Sequence, residues 1–122
     1  MDKSQIQLEA ELNALEGQIK SDPERAFRIA EQCRIRSEQI LFVDGEIRAL
    51  IAMSNACWCS MDYRHGLKLI KDAYNLQIQL DTDDHLPKIL HLFALQYWGQ
   101  AKYYSAQQYW INAQEQPAFG GG

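Results

Sequence analysis

The chain has 122 residues, 47% of them hydrophobic and 11% aromatic, and carries a formal net charge of −4. That length and apolar content suit one domain with a packed interior, while the acidic balance argues against a duplex nucleic-acid binder. No apolar run approaches the roughly 20 residues needed to cross a bilayer, and the start, MDKSQIQLEAEL, has no signal-peptide core. With no disulfide-framework spacing among Cys33, Cys57 and Cys59, the expected setting is a reducing cytoplasm, without membrane contact.

In chain order, apolar residues recur at spacings of three and four, so the predicted elements are all helices. The first spans about Lys3 to Lys20, with Ile6, Leu8, Leu12, Leu15 and Ile19 as its stripe. Ser21-Asp22-Pro23-Glu24 stops it and starts a second, in which Asp22 caps the free amides and Pro23 sits where no amide partner is lost. The second helix continues through Ala26, Ala30, Cys33 and Ile40 to a joint at Asp44-Gly45. A third helix carries Ile47 to Trp58, and Asp62 opens a fourth that runs to Leu80. The run Asp81-Thr82-Asp83-Asp84 reads as a solvated turn with a helix cap, since the glycine and glutamate of a calcium loop are missing. A fifth helix holds Ile89 to Trp98, with Pro87 in its first turn, and a sixth runs from about Tyr103 to Glu115.

A concealed repeat organises these elements. Ala26, Gly66 and Ala106 are spaced by 40, as are Leu50 and Leu90, Trp58 and Trp98, and Tyr63 and Tyr103. Each second helix carries a small residue, a larger one four later and a small one seven later: Ala26-Ala30-Cys33, Gly66-Ile70-Ala73 and Ala106-Trp110-Ala113. The first helices carry Ala10-Asn13-Ala14, Leu50-Met53-Ser54 and Leu90-Phe93-Ala94 at matching places. Small side chains let two helices approach and large neighbours fill the gaps. The expected fold is all-α: three stacked antiparallel helical hairpins in an α-solenoid, with units of about 3–42, 43–82 and 83–116. Residues 117–122 are expected to be a flexible tail or linker.

Across residues 6–115 this arrangement resembles the tetratricopeptide repeat (TPR), and Asp62-Tyr63 ahead of Gly66 is similar to the dipeptide that often opens that family's second helix. The period of 40 exceeds the usual 34, the first helix lacks the family's glycine, and the proline that ends the repeat is missing. The six extra residues are assigned to long second-helix ends, Ser37–Asp44 and Gln77–Asp84. Repeats lengthened in this way resemble the helical sensory regions that precede diguanylate cyclase (GGDEF) domains in bacterial signalling proteins. The resemblance implies a non-catalytic interaction or regulatory module, the N-terminal part of a larger protein, that binds a protein or peptide on a concave face lined by first helices.

In the repeat register Arg48, Ile51, Asn55 and Trp58 project together from the third helix, and Lys88, His91, Leu95 and Trp98 from the fifth. The first-helix equivalents are Leu8, Glu11, Leu15 and Gln18. Aromatic platforms, an amide and two cations suit a peptide, and Arg48 and Lys88 can hold a carboxylate. Against this stands the plain alternative that both tryptophans pack between hairpins or against a following helix. The last hairpin lacks a polar capping helix, so Tyr104, Trp110 and Ile111 form a candidate oligomer surface, with a homodimer joining output domains as one alternative. A small-molecule sensor enclosed by the aromatics is another.

Chemistry has no foothold in the sequence, so no enzyme, cofactor or metal is expected. Cys57 and Cys59 point about 200° apart on a helix, which favours inert thiols. His65 and His91 have no visible partners in a metal motif, His85 does no more than help open a helix, and Gly120-Gly121-Gly122 is too bare to cradle a phosphate.

Overall fold

A computed structural model describes residues 2–115, so the expected tail at 117–122 lies outside the described residues. Six helices follow one another: α1 (Lys3–Glu16), α2 (Pro23–Gln39), α3 (Val43–Cys59), α4 (Tyr63–Gln77), α5 (Leu86–Gly99) and α6 (Tyr103–Gln114), with no strand among the described residues. Each packs on its chain neighbour, and α1, α3 and α5 also touch side by side, so the first helices of the three hairpins form one layer. The expected all-α stack of hairpins is the fold observed.

The second-helix trios lie in the interior as their spacing requires. Ala26, Ala30, Cys33, Gly66, Ile70, Ala73, Ala106 and Ala113 are buried, and Trp110 is half-buried. At Gly66 the packing is tightest, because a Cβ there would meet Gln96 Nε2 at 2.2 Å. A buried polar knot fills that spot: Ser54 Oγ donates to the Gly66 carbonyl at 2.8 Å, and Gln96 Nε2 donates to the Ser54 carbonyl at 2.9 Å. Buried unpaired, Ser54 Oγ and the Gln96 amide N–H would cost free energy, so their bonds favour the close approach of α3, α4 and α5, while Gln96 Oε1 has no partner among the described residues.

Three joints share one turn. Leu41, Met61 and Ala101 have φ of 57°, 60° and 62°. At the middle joint the Asp62 amide reaches back to the Cys57 carbonyl and the Met61 amide to Trp58, the paired bonds of a Schellman cap. Phe42 to Ser37 and Lys102 to Tyr97 repeat the first of these bonds. None of the three left-handed positions is a glycine, although a left-handed backbone usually selects one. This turn corrects the expected joint at Asp44-Gly45, since both residues lie inside the first turn of α3.

Unit boundaries also differ from the regular repeat. Of the stretch Ser37–Asp44 only Ser37, Glu38 and Gln39 belong to α2, the rest forming the turn and the start of α3, and α4 ends at Gln77, after which the chain turns until α5 begins. Gln77 is buried at that end and donates to the Thr82 carbonyl at 2.6 Å, which holds the turn against the helix. Asp22 caps α2 through the Arg25 amide as expected, whereas Asp62 makes no side-chain cap and His85, not Asp84, is the N-cap residue of α5. His85 does more than open a helix: its Nε2 donates to Asp44 Oδ1 at 2.6 Å, joining the starts of α3 and α5. That bond, above all, holds the Asp44 carboxyl below the usual carboxylate range.

The first unit departs from the repeat register. Ala10, Asn13 and Ala14 are exposed, while Leu8, Leu12 and Leu15 are buried against α2 and α3. An end helix has neighbours on one side only, so its own leucine stripe sets its rotation. Leu8 and Leu15, expected on the concave face, are therefore core. Polar ties on the flank of α1 complete its attachment: Arg36 to Glu11 at 2.7 Å, and Arg48 to Glu16 at 3.1 Å and to Asn13 at 2.6 Å.

Candidate functional site

Successive residues at spacings of three and four on α3 and α5 bring seven of the eight expected inner-face residues to one hollow of ≈ 300 Å³. From α3 it takes Arg48, Ile51, Asn55 and Trp58; from α5, Lys88, His91 and Leu95. Ile19, Ala52 and Leu92 add apolar floor, and Glu16 closes the α1 side. Trp98 is the exception: it is 48% exposed beyond the hollow, edge-on to Trp58 with ring centroids 6.1 Å apart and edge-on to Tyr103 at 6.1 Å. Trp58 also leans on Tyr63 at 5.4 Å, so a row of four aromatic rings leads away from one end of the hollow. Trp58 is half-buried and Trp98 is open, an arrangement between a groove platform and a packed core.

The polar groups divide into those already engaged and those left unpaired. Arg48 is tied to Glu16 and Asn13, and only 17% of its side chain is exposed. His91 Nδ1 accepts from Trp110 Nε1 at 2.9 Å, and burial pushes its pKa below the usual histidine value, which suits a neutral acceptor. By contrast, the Asn55 amide, the Trp58 indole N–H and the Lys88 ammonium have no partner among the described residues. One donor–acceptor amide, one indole donor and one cation thus stand over an apolar floor. A chain segment that offers backbone amides and a carboxylate matches that set.

The α6 flank carries the other expected surface. Tyr104 is 76% exposed and Ile111 is exposed beside it, whereas Trp110 turns inward to His91. Tyr109 stacks on Phe93 at 4.8 Å and on Tyr97 at 5.4 Å, which fastens α6 to α5.

Two further hollows lie away from the α1–α3–α5 layer. One of ≈ 590 Å³ between α2, α3 and α4 is rimmed by charges of both signs, including Glu31, Arg34 and Asp72. The other, of ≈ 400 Å³, runs along the joint of α3 and α4 beside α2. At its edge His65, without visible partners in the sequence, has its Nδ1 3.7 Å from Cys57 Sγ and 3.3 Å from Asp62 Oδ2. The spacing of five and three residues across a turn carries no helical-period signal, so sequence reading misses this grouping. Burial, reinforced by Asp62, pushes the Cys57 thiol up to about 12, and burial also raises Cys33 and Cys59. None of the three is an activated nucleophile.

No protein-family model matches the chain, and no curated protein does. Among solved structures, the crystal structure of the TPR domain of Arabidopsis FLU superposes with a TM-score of 0.80 at 12% identity. The match covers 90% of this chain and 93% of that one. The fold is therefore TPR-like, reached with little sequence in common. No helix among the described residues is long and apolar enough to cross a membrane.

Proposed function

We propose that this chain is a non-catalytic protein-interaction module whose inner hollow holds an extended segment of a partner protein. The observation that carries the reading is the unpaired trio Asn55, Trp58 and Lys88 over the floor of Ile51, Leu92 and Leu95. Asn55 would bond the segment's backbone in both senses, Trp58 would cover an apolar side chain, and Lys88 would face a carboxylate. Arg48 has a different part in this proposal from the one its charge implies. Already paired with Glu16, it shapes one wall and leaves Lys88 as the cation that meets the ligand. The TPR-like fold supports the reading at the level of shape, since such arrays present surfaces built from stacked first helices. A sensory role ahead of an output domain, in the cytoplasm, is the regulatory form of the same proposal and rests on repeat length.

The test is selection of binders from a random-peptide display library, followed by affinity measurement against Asn55→Ala, Trp58→Ala and Lys88→Glu. Peptides that engage the hollow lose about tenfold or more with each variant, on the scale of a hot-spot contact. Selected peptides that bind all three variants as tightly as the parent, in chains with unchanged helicity, would overturn the assignment.

A second reading, self-association through α6, is favoured by the exposure of Tyr103, Tyr104 and Ile111. Light scattering across a dilution series separates the two: a mass of two chains that Tyr104→Glu reduces to one supports the α6 interface.

A further inference from the structure

We propose that Cys57, Asp62 and His65 form a site for one zinc ion at the joint of α3 and α4. A thiol, an imidazole and a carboxylate converge there, with one ligand atom from each lying within 4.8 Å of the other two. Tetrahedral zinc, with a bond of about 2.3 Å to sulfur and about 2.05 Å to nitrogen or oxygen, places S and N about 3.6 Å apart and N and O about 3.3 Å apart. The observed separations, 3.7 Å for Cys57 Sγ to His65 Nδ1 and 3.3 Å for His65 Nδ1 to Asp62 Oδ2, lie close to those edges.

Among the three, one tautomer leaves the Cys57 S–H without an acceptor and the other sets the Nδ1 lone pair against a carboxylate. Nδ1 is a donor when it bears a proton and an acceptor when it does not, and it faces both a thiol and a carboxylate. Bound to Asp62 as a donor, it has no lone pair for the Cys57 S–H. As an acceptor from Cys57, it repels the Asp62 carboxylate. A cation among the three uses the lone pair of Nδ1, the thiolate and the carboxylate together, and the thiol proton leaves to solvent on binding.

The scaffold holds the ligands in place. Asp62 and Cys57 are joined by the 2.8 Å backbone bond of the turn, and Phe27 of α2 lies against the His65 ring with centroids 5.5 Å apart. The turn itself does not require the trio, because the joint 40 residues later forms the same bonds with Tyr97, Lys102 and Ser105 at these places. Three protein ligands leave one tetrahedral position to water or to Glu24, which lines the same hollow. Arg28 also lines it and opposes the ion, which fits an affinity below that of a four-ligand structural site. None of the lining residues is shared with the α1–α3–α5 hollow, so the proposal stands apart from the peptide-binding reading.

Cobalt(II) titration of the full chain, in a non-thiol reductant, tests it. One equivalent should produce a thiolate-to-cobalt charge-transfer band with visible bands of four-coordinate intensity, and one equivalent of zinc should abolish them. Cys57→Ser should remove the charge-transfer band, while Cys33→Ser and Cys59→Ser keep it. His65→Ala, at a side chain 45% exposed, should weaken cobalt binding at least about tenfold with helicity unchanged. No charge-transfer band at several-fold excess of cobalt, a band that survives Cys57→Ser, or unchanged affinity in His65→Ala would each overturn the site.

Discussion

The two flanks of α3 are fastened by different physics. Toward α1 the contacts are a leucine stripe and polar ties on an open flank, with Arg48 reaching Glu16 and Asn13 while Arg36 of α2 reaches Glu11. Toward α4 and α5 the contact is a buried knot, in which Ser54 Oγ donates to the Gly66 carbonyl and Gln96 Nε2 to the Ser54 carbonyl, while Gln96 Oε1 has no partner among the described residues. Exposed ion pairs contribute little and are screened by salt, whereas the buried knot has no room for an added atom at Gly66. The first junction is therefore adjustable and the middle one is not. The inner hollow spans both, with Glu16 and Arg48 on the adjustable side and Lys88 and Leu95 on the rigid side.

Breaking the rigid junction should have the largest effect. Gly66→Ala places a Cβ against the buried Gln96 amide and should cost about 3 kcal/mol, read as a lower urea midpoint for the whole chain. Gly17→Ala makes the contrast, because nothing lies within 4 Å of its Cβ and its φ of −81° suits any residue. It should raise stability by about 0.5 kcal/mol. Equal effects at the two glycines would erase the distinction between the junctions.

Breaking the first junction should act locally. Leu12→Ala removes a buried contact among Leu8, Cys33 and Ala49 and should cost about 2 kcal/mol. Hydrogen exchange should show α1 losing protection well before α3 to α5, and added salt should deepen that loss. Uniform loss along the chain would make α1 an integral part of the core.

The smallest effect concerns the His85–Asp44 bond. The lowered Asp44 pKa means that its contribution is present above the ordinary carboxylate pKa of 3.8 and is lost as pH falls through the folded value. Asp44→Asn should thus flatten the stability curve below about pH 4. At neutral pH it should cost under about 1 kcal/mol, since the carboxylate is partly exposed. An unchanged acid limb would show that the bond does not contribute.

Much of the inner hollow was legible from spacing. Arg48, Ile51, Asn55 and Trp58 share a face because a helix returns every 3.6 residues, and the 40-residue shift carries that face to Lys88, His91 and Leu95. Trp98 follows the same rule in register but sits past the hollow, beside Trp58 and Tyr103. The pairing state of Arg48 and His91 was not legible, because their partners, Glu16 and Trp110, stand on other helices with no spacing rule between them. The cluster at Cys57, Asp62 and His65 was hidden for a related reason: a left-handed turn at Met61, unmarked by glycine, folds the three together.

By itself the sequence determined the helices, their pairing and the interior trios, since these follow from periodicity and from small residues where backbones approach. The rotation of α1, the burial of Gln96, the engagement of Arg48 and the meeting of Cys57 with His65 were decided only in the tertiary structure. Each depends on which neighbour reaches a side chain across a joint, and that contact is fixed by the stacking of whole hairpins rather than by local preference.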